Sequence, residues 1–206
     1  MARNIVYIDG QNSLYKAADF LIRINAITNK QELVKLDFRY LLESLFPQDK
    51  LIIKYFGVNT IKRQEEYGDK ILNKSIIFAD NLRRLKNYLE VSDVEFYGVG
   101  SLQVRNRDEC ENCGYVGYKM AEKGVDVGLA VEMVSDSYNS DVEKQVLLSS
   151  DIDLLPAIKS AKHNNKEFYY VAFEGRQVYA ISAYAKETKF VSNKILLEAF
   201  IRALEV

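Results

Sequence analysis

Short apolar runs alternate with longer stretches of helical periodicity along this chain. Asn4–Ile8, Lys50–Val58 (KLIIKYFGV), Val94–Val99 (VEFYGV), Val146–Ser149 and Glu167–Phe173 are β-branched, aliphatic or aromatic runs that read as buried strands. Lys189–Val191 reads as a short extra strand. Between them, a helix capped by Asn12 or Ser13 is predicted to run to about Asn25. A second is predicted over Leu33–Leu45. A long third, at about Gln64–Leu89, carries Ile71, Leu72, Ile76, Phe78, Leu82, Leu85 and Leu89 as its core stripe. Asp126–Val134 has little polar face and reads as a buried helix. Leu155–His163 and about Lys194–Leu204 complete the set. The polar segment at about 101–119, with glycines and both cysteines, reads as an irregular insertion or a hairpin.

Strands alternating with helices predict an α/β fold, with a mainly parallel sheet covered on both faces. The length of 206 residues fits one domain spanning 1–206. Two prolines and no low-complexity tract argue against a long disordered region. A net charge of −1 excludes a generally basic nucleic-acid coat but leaves room for a local basic groove. No apolar run approaches the roughly 18 residues that span a bilayer, and the N-terminus lacks a signal-peptide pattern. The expectation is a cytoplasmic protein with no membrane partner; a homo-oligomer stays open.

The candidate chemistry lies in four aspartates: Asp9 in VYIDGQN, Asp126 in EKGVD, and Asp151 with Asp153 in LLSSDIDLLP. Asp9 and the Asp151–Asp153 pair follow apolar runs, and in open α/β sheets ligands bind beyond the carboxyl ends of strands. Acids gathered there repel one another unless a cation sits among them, so the pattern points to a divalent metal. Each residue also has an ordinary structural explanation. Asp9 suits a turn, Asn12 a helix cap, Asp126 the first turn of a helix. In an extended D-x-D both carboxylates face one way, yet one of the pair equally well caps the helix that follows. Lys123 precedes a helix N-terminus, where a cation opposes the dipole and calls for an anionic neighbour; the alternative is a solvated lysine.

Cys110 and Cys113 are half of a zinc-ribbon knuckle, with no second pair and a single distant histidine, His163. A reduced, unbound pair is the alternative to Zn²⁺. Lys62 with Arg63, and Arg105 with Arg107, are local basic clusters suited to phosphate contacts. Arg83–Arg84 reads as solvated surface. Tyr15, Tyr55, Tyr67, Tyr115 and Tyr118 are candidates for stacking on bases, although most tyrosines simply pack.

Taken together, VYIDGQN, EKGVDVGLAVEMV, VLLSSDIDLLPAIKSAK and FYYVAF resemble the NYN-domain (LabA-like) family of PIN-like nucleases, over nearly the whole chain and in the family's order. The resemblance implies a Rossmann-like three-layer α/β/α fold and an acidic pocket that binds Mg²⁺ or Mn²⁺ and cleaves RNA. By position, Asp9 and Asn12 match the family's first-strand aspartate and the asparagine after it. Lys123 and Asp126 match its lysine-glycine-valine-aspartate motif, and Asp151 and Asp153 the aspartates ending strand four. The cysteine pair resembles a knuckle seen in some members. Three residues depart from the family's strand-four motif: Ser150 stands for a glycine, Ile152 for a serine and Leu154 for a phenylalanine.

The resulting expectation is a metal-dependent ribonuclease acting on single-stranded RNA. Asp9, Asp126 and Asp151 would be the metal ligands, Asp153 a ligand or outer partner, and Asn12 and Lys123 would position water or phosphate. The alternatives are a non-catalytic RNA- or protein-binding module, and a small-molecule phosphohydrolase.

Overall fold

The computed structural model describes residues 3–60, 69–106, 113 and 117–205. In chain order the elements are β1 (Arg3–Asp9), α1 (Gly10–Arg23), α2 (Phe38–Leu45), β2 (Leu51–Thr60), α3 (Asp69–Val91), β3 (Glu95–Asn106) and β4 (Tyr118–Lys123). There follow α4 (Val125–Ser137), β5 (Val142–Leu148), α5 (Leu155–His163), β6 (Glu167–Phe173), α6 (Tyr179–Ser182), β7 (Glu187–Val191) and α7 (Asn193–Glu205). Short 3₁₀ turns occupy Lys30–Glu32 and Ile152–Leu154.

The described strands form one sheet in the order β4-β3-β2-β1-β5-β6-β7. All neighbours are parallel except β3 and β4. This is the three-layer α/β/α arrangement expected. Side chains alternate across the sheet, as the strand period of two requires. Val6, Ile8, Ile53, Val146 and Leu148 face α1, α2, α3 and α7. Ile5, Tyr7, Phe56, Leu147 and Tyr170 face α4, α5 and α6. With both faces covered, the central strands can be almost wholly apolar.

Several boundaries differ from the sequence reading, for local reasons. Asp9, rather than Asn12 or Ser13, caps α1: its carboxylate accepts from the Asn12 N–H at 3.4 Å. The helix expected over 33–45 begins at Phe38, where Asp37 accepts from the Tyr40 N–H at 2.9 Å. α3 is described from Asp69, and Gln64–Gly68 lie outside the described residues. In α4, Val127 and Val131 are exposed, so this helix is apolar without being buried all round. The insertion expected at about 101–119 has strands at both flanks. Ser101 pairs with Lys123 and Asn106 with Tyr118, giving an antiparallel hairpin whose polar residues suit a sheet edge. Ser101 is the last residue of β3 paired with β2, so Leu102–Asn106 and their β4 partners project beyond the carboxyl edge of β2.

One buried cation fastens α4 to the sheet. The Lys54 ammonium, on β2, lies 2.6 Å from Glu132 and 2.8 Å from Asp136, both on α4. It also sits over the Tyr7 and Tyr97 rings. Burial pulls the Lys54 ammonium down, but the bonds to Asp136 and Glu132 outweigh it and hold it above its ordinary value. The Tyr7 hydroxyl donates to Asp136 at 2.7 Å and accepts from Gln145 Nε2 at 3.1 Å. Removing one member of such a cluster strands the others in low dielectric. Lys54→Met is therefore expected to lower unfolding stability by about 3 kcal/mol, measured as the shift in urea midpoint at constant m-value. A change below about 0.5 kcal/mol, the size usual for surface substitutions, would show that α4 does not depend on this cluster.

Candidate functional site

Strands β1 and β5 are neighbours, but their chain continues into helices on opposite faces: α1 joins one core and α5 the other. The order of strands reverses here, which opens a crevice at the carboxyl edge. Asp9 ends β1, and Ser149, Ser150 and Asp151 follow β5, so both chain segments deliver polar groups into that crevice.

A hydrogen-bond lattice joins the two sides. The Ser149 hydroxyl donates to the Asp9 carboxylate at 2.8 Å, and its oxygen accepts from the Asp151 N–H at 3.1 Å. The Asn12 side-chain oxygen accepts from the Ser150 N–H at 3.3 Å and from its hydroxyl at 3.0 Å. Asn12 thus ties α1 to the β5 loop. Asp151 caps the 3₁₀ turn that follows, accepting from the Asp153 N–H at 2.9 Å.

The acids affect one another. Burial pushes the Asp9 carboxyl above its ordinary value; the bonds from Ser149 and Asn12 oppose this, and the charges of Asp151 and Asp126 raise it further. Asp126 reaches this neighbourhood because Gly124, at φ +84°, turns β4 sharply into α4. That left-handed conformation is cheap only for glycine. No side chain caps α4, so its first N–H groups and Asp126 both stand at the crevice end of the helix.

Other expected residues are placed differently. Residues 152–154 turn rather than extend, so alternation does not aim Asp153 with Asp151, and Asp153 is exposed. Neither aspartate caps α5, whose N-cap position is Leu154. Lys123 is exposed and forms no ion pair with any described residue. Arg105 is exposed on the projecting hairpin. Lys62, Arg63, Arg107 and Cys110 lie outside the described residues. Cys113 is a free, exposed thiol, and nothing described supports the Zn²⁺ reading. Among the described residues no three His, Cys, Asp or Glu side chains are grouped closely enough to hold a metal ion directly.

Sequence reasoning missed Glu122, Ser149, Lys16 and Arg176. Lys16 and Arg176 line a crevice with Asn12, Ser149 and Ser150. Glu122, on β4, is half-buried, and burial with the nearby Asp9 charge pushes its carboxyl up to about 7. The available signal was its place in EKGVD, one residue before Lys123.

A Rossmann-like α/β/α sheet with acids at its switch point is the architecture of the PIN-like nuclease class. The chain belongs to the NYN domain family, whose profile matches residues 3–196. A crystallised protein of unknown function from Vibrio parahaemolyticus RIMD 2210633 has a similar fold. The TM-score is 0.55 over 93% of this chain and 94% of that one, at 12% identity. No protein of curated function matches. No described helix is long and apolar enough to cross a membrane.

The raised Glu122 carboxyl carries a pH prediction. An acid whose folded value, about 7, exceeds its unfolded value of 4.5 imposes no ionisation cost below pH 4.5. The cost grows between pH 4.5 and 7 and is complete above 7. Glu122→Gln removes it. We expect the metal-free variant to be more stable than wild type by about 3 kcal/mol at pH 8 and nearly unchanged at pH 4.5, by chemical denaturation. Equal effects at both pH values would contradict this origin.

Proposed function

We propose that the protein is a metal-dependent ribonuclease that hydrolyses phosphodiester bonds of single-stranded RNA. What supports this reading is Asp9 and Asp151 at the switch point, joined through Ser149, with Asp126 near enough for its charge to raise the Asp9 carboxyl. Family membership supports it.

The donor set fits a hard divalent cation such as Mg²⁺ or Mn²⁺: oxygen ligands, with lone pairs left over after the bonds from Ser149, Asn12 and Asp153. An ion such as Mg²⁺ keeps several waters and takes few direct protein ligands. Asp9 and Asp151, linked through Ser149, would hold it, with Asp126 and Asp153 acting through bound water. When bound, such an ion polarises the scissile phosphate and supplies a nucleophilic water at neutral pH.

The chain's own residues do the rest. Asn12 and Ser149 fix Asp9 and the β5 loop in one geometry, so little reorganisation remains at the moment of reaction. Lys16 and Arg176 flank the crevice and offset phosphate charge on one side. Arg105 and Lys119, paired across the projecting hairpin, and Lys123 at its base offer it on the other. A crevice reached between a hairpin and a helix end admits a flexible strand more readily than a duplex.

The wide spacing of the acids favours one second reading, a non-catalytic RNA-binding module. Two measurements separate them. Wild type should cleave single-stranded RNA with Mn²⁺, and Asp9→Asn should lose at least a hundredfold in rate; equal cleavage by both sinks the nuclease assignment. Millimolar Mn²⁺ should also raise the thermal midpoint of wild type by several degrees, since a ligand at ~100 times its Kd adds about 2.7 kcal/mol. Asp9→Asn should lose that increment. RNA binding without any response to Mn²⁺ would establish the module instead.

A further inference from the structure

A second cavity, of about 140 Å³, adjoins the crevice on the β2–β3 side of Asp9. At ~30 Å³ per water it has room for several water molecules, the scale of one planar ring system. Its apolar walls are Leu14 and Tyr15 of α1, Phe78, Leu82 and Leu85 of α3, and Phe96 of β3. Its polar groups are the amides of Gln11, Gln31 and Asn81, the Tyr55 hydroxyl and the Glu122 carboxyl.

Among the described residues, two of these groups have no hydrogen-bond partner. Tyr55 is 2% exposed, and it makes no hydrogen bond with any described residue. Its hydroxyl end lies against the start of α1, so close that a Cβ on Gly10 would stand 2.4 Å from the oxygen. Glu122 also makes no hydrogen bond or ion pair with any described residue. The nearest cation on the cavity wall, Lys30, is paired with Asp19 at 2.6 Å. Both groups line the cavity, where a bound ligand can reach them.

The lining selects its chemistry. Aromatic and aliphatic walls suit flat apolar faces, while amides, a phenol and a carboxyl suit a hydrogen-bonding edge. No unpaired cation on the wall matches an anion. The ligand is therefore an uncharged planar heterocycle with donors at its edge. When ionised, Glu122 accepts from the exocyclic amino group of adenine, cytosine or guanine, whereas uracil brings a lone N3–H flanked by two carbonyls that repel a carboxylate.

We propose that this cavity binds one base of a single-stranded RNA, an adenine, cytosine or guanine whose amino group donates to Glu122, while the adjoining backbone passes Asp9. The assignment rests on the RNA reading above. It gives the site a base preference, with Tyr15 at the exposed mouth and Tyr55 at the depth.

The test uses fluorescein-labelled oligo(A), oligo(C) and oligo(U) of about ten nucleotides, bound to the full chain in EDTA and followed by anisotropy. Oligo(A) or oligo(C) should bind about tenfold tighter than oligo(U), the low end of discrimination by one base edge. Glu122→Leu removes the acceptor, and Leu82→Trp fills the space. Each should bring the preferred strand down to the oligo(U) level. Equal binding of all three strands, no binding of any, or a preference that survives both substitutions overturns the proposal. So does displacement of the strand by free AMP or CMP at the same concentration as the unlabelled oligomer. Cleavage of all three strands alike with Mn²⁺ also removes the pocket but leaves the ribonuclease standing. Selective binding without cleavage keeps the pocket and removes the nuclease.

Discussion

Strands β1 and β5 lie side by side in parallel register, yet the helices after them must cover opposite faces of the sheet. That single topological constraint organises the molecule. A sheet apolar on both faces needs two helical layers, and one chain can supply both only by reversing its winding direction. At the reversal the two helices diverge and leave the carboxyl edge uncovered. Asp9 and the Ser149–Asp151 loop occupy that opening because they are the residues at which the chain leaves the sheet. Their hydrogen bonds to each other close the gap that divergence would otherwise leave.

α4 depends on a different device. It buries Val125, Leu129 and Met133 against the sheet, while Val127 and Val131 face outward. To that contact it adds charge: Lys54 on β2 paired with Glu132 and Asp136, braced by the Tyr7 hydroxyl. A hydrophobic contact tolerates sliding, whereas a buried ammonium with two carboxylates specifies one register. That register, with the turn at Gly124, sets where Asp126 stands. Asp126, carried by a separate helix, is thus positioned by a network about two helical turns away.

How much of this the sequence shows depends on the range of the interaction. Runs such as Glu167–Phe173 and Leu155–His163 are legible to the residue, because burial on both sheet faces or on a helical stripe writes itself into local composition. Asp9 and Asp151 are legible as strand-end acids. Their capping roles, the bond from Ser149 and the turn that separates Asp153 from Asp151 are not, since a cap is decided by local dihedral angles. Glu122 is the clearest case. Beyond its place in EKGVD, nothing near it in sequence distinguishes it from a solvated glutamate; its environment comes from β2, α1 and α3. Lys54 likewise sits in a strand pattern that reads as apolar, and its partners lie on a helix that begins some seventy residues later.

The two raised carboxyls share one explanation. Asp9 and Glu122 are each shifted first by burial, and each is shifted further by acidic neighbours. A fold selected for stability alone would have paired them with Lys16 or Lys123, which are close in sequence and available. Instead the cations stay at the rim and the acids stay inside. Such an arrangement spends stability at pH 7, and natural folds break local rules of this kind mainly where function requires it. A divalent cation among the aspartates and a hydrogen-bonding base edge against Glu122 would each offset one of the two penalties. On the proposed reading the crevice and the cavity would be halves of one binding surface, the first taking the phosphate backbone and the second the base beside it.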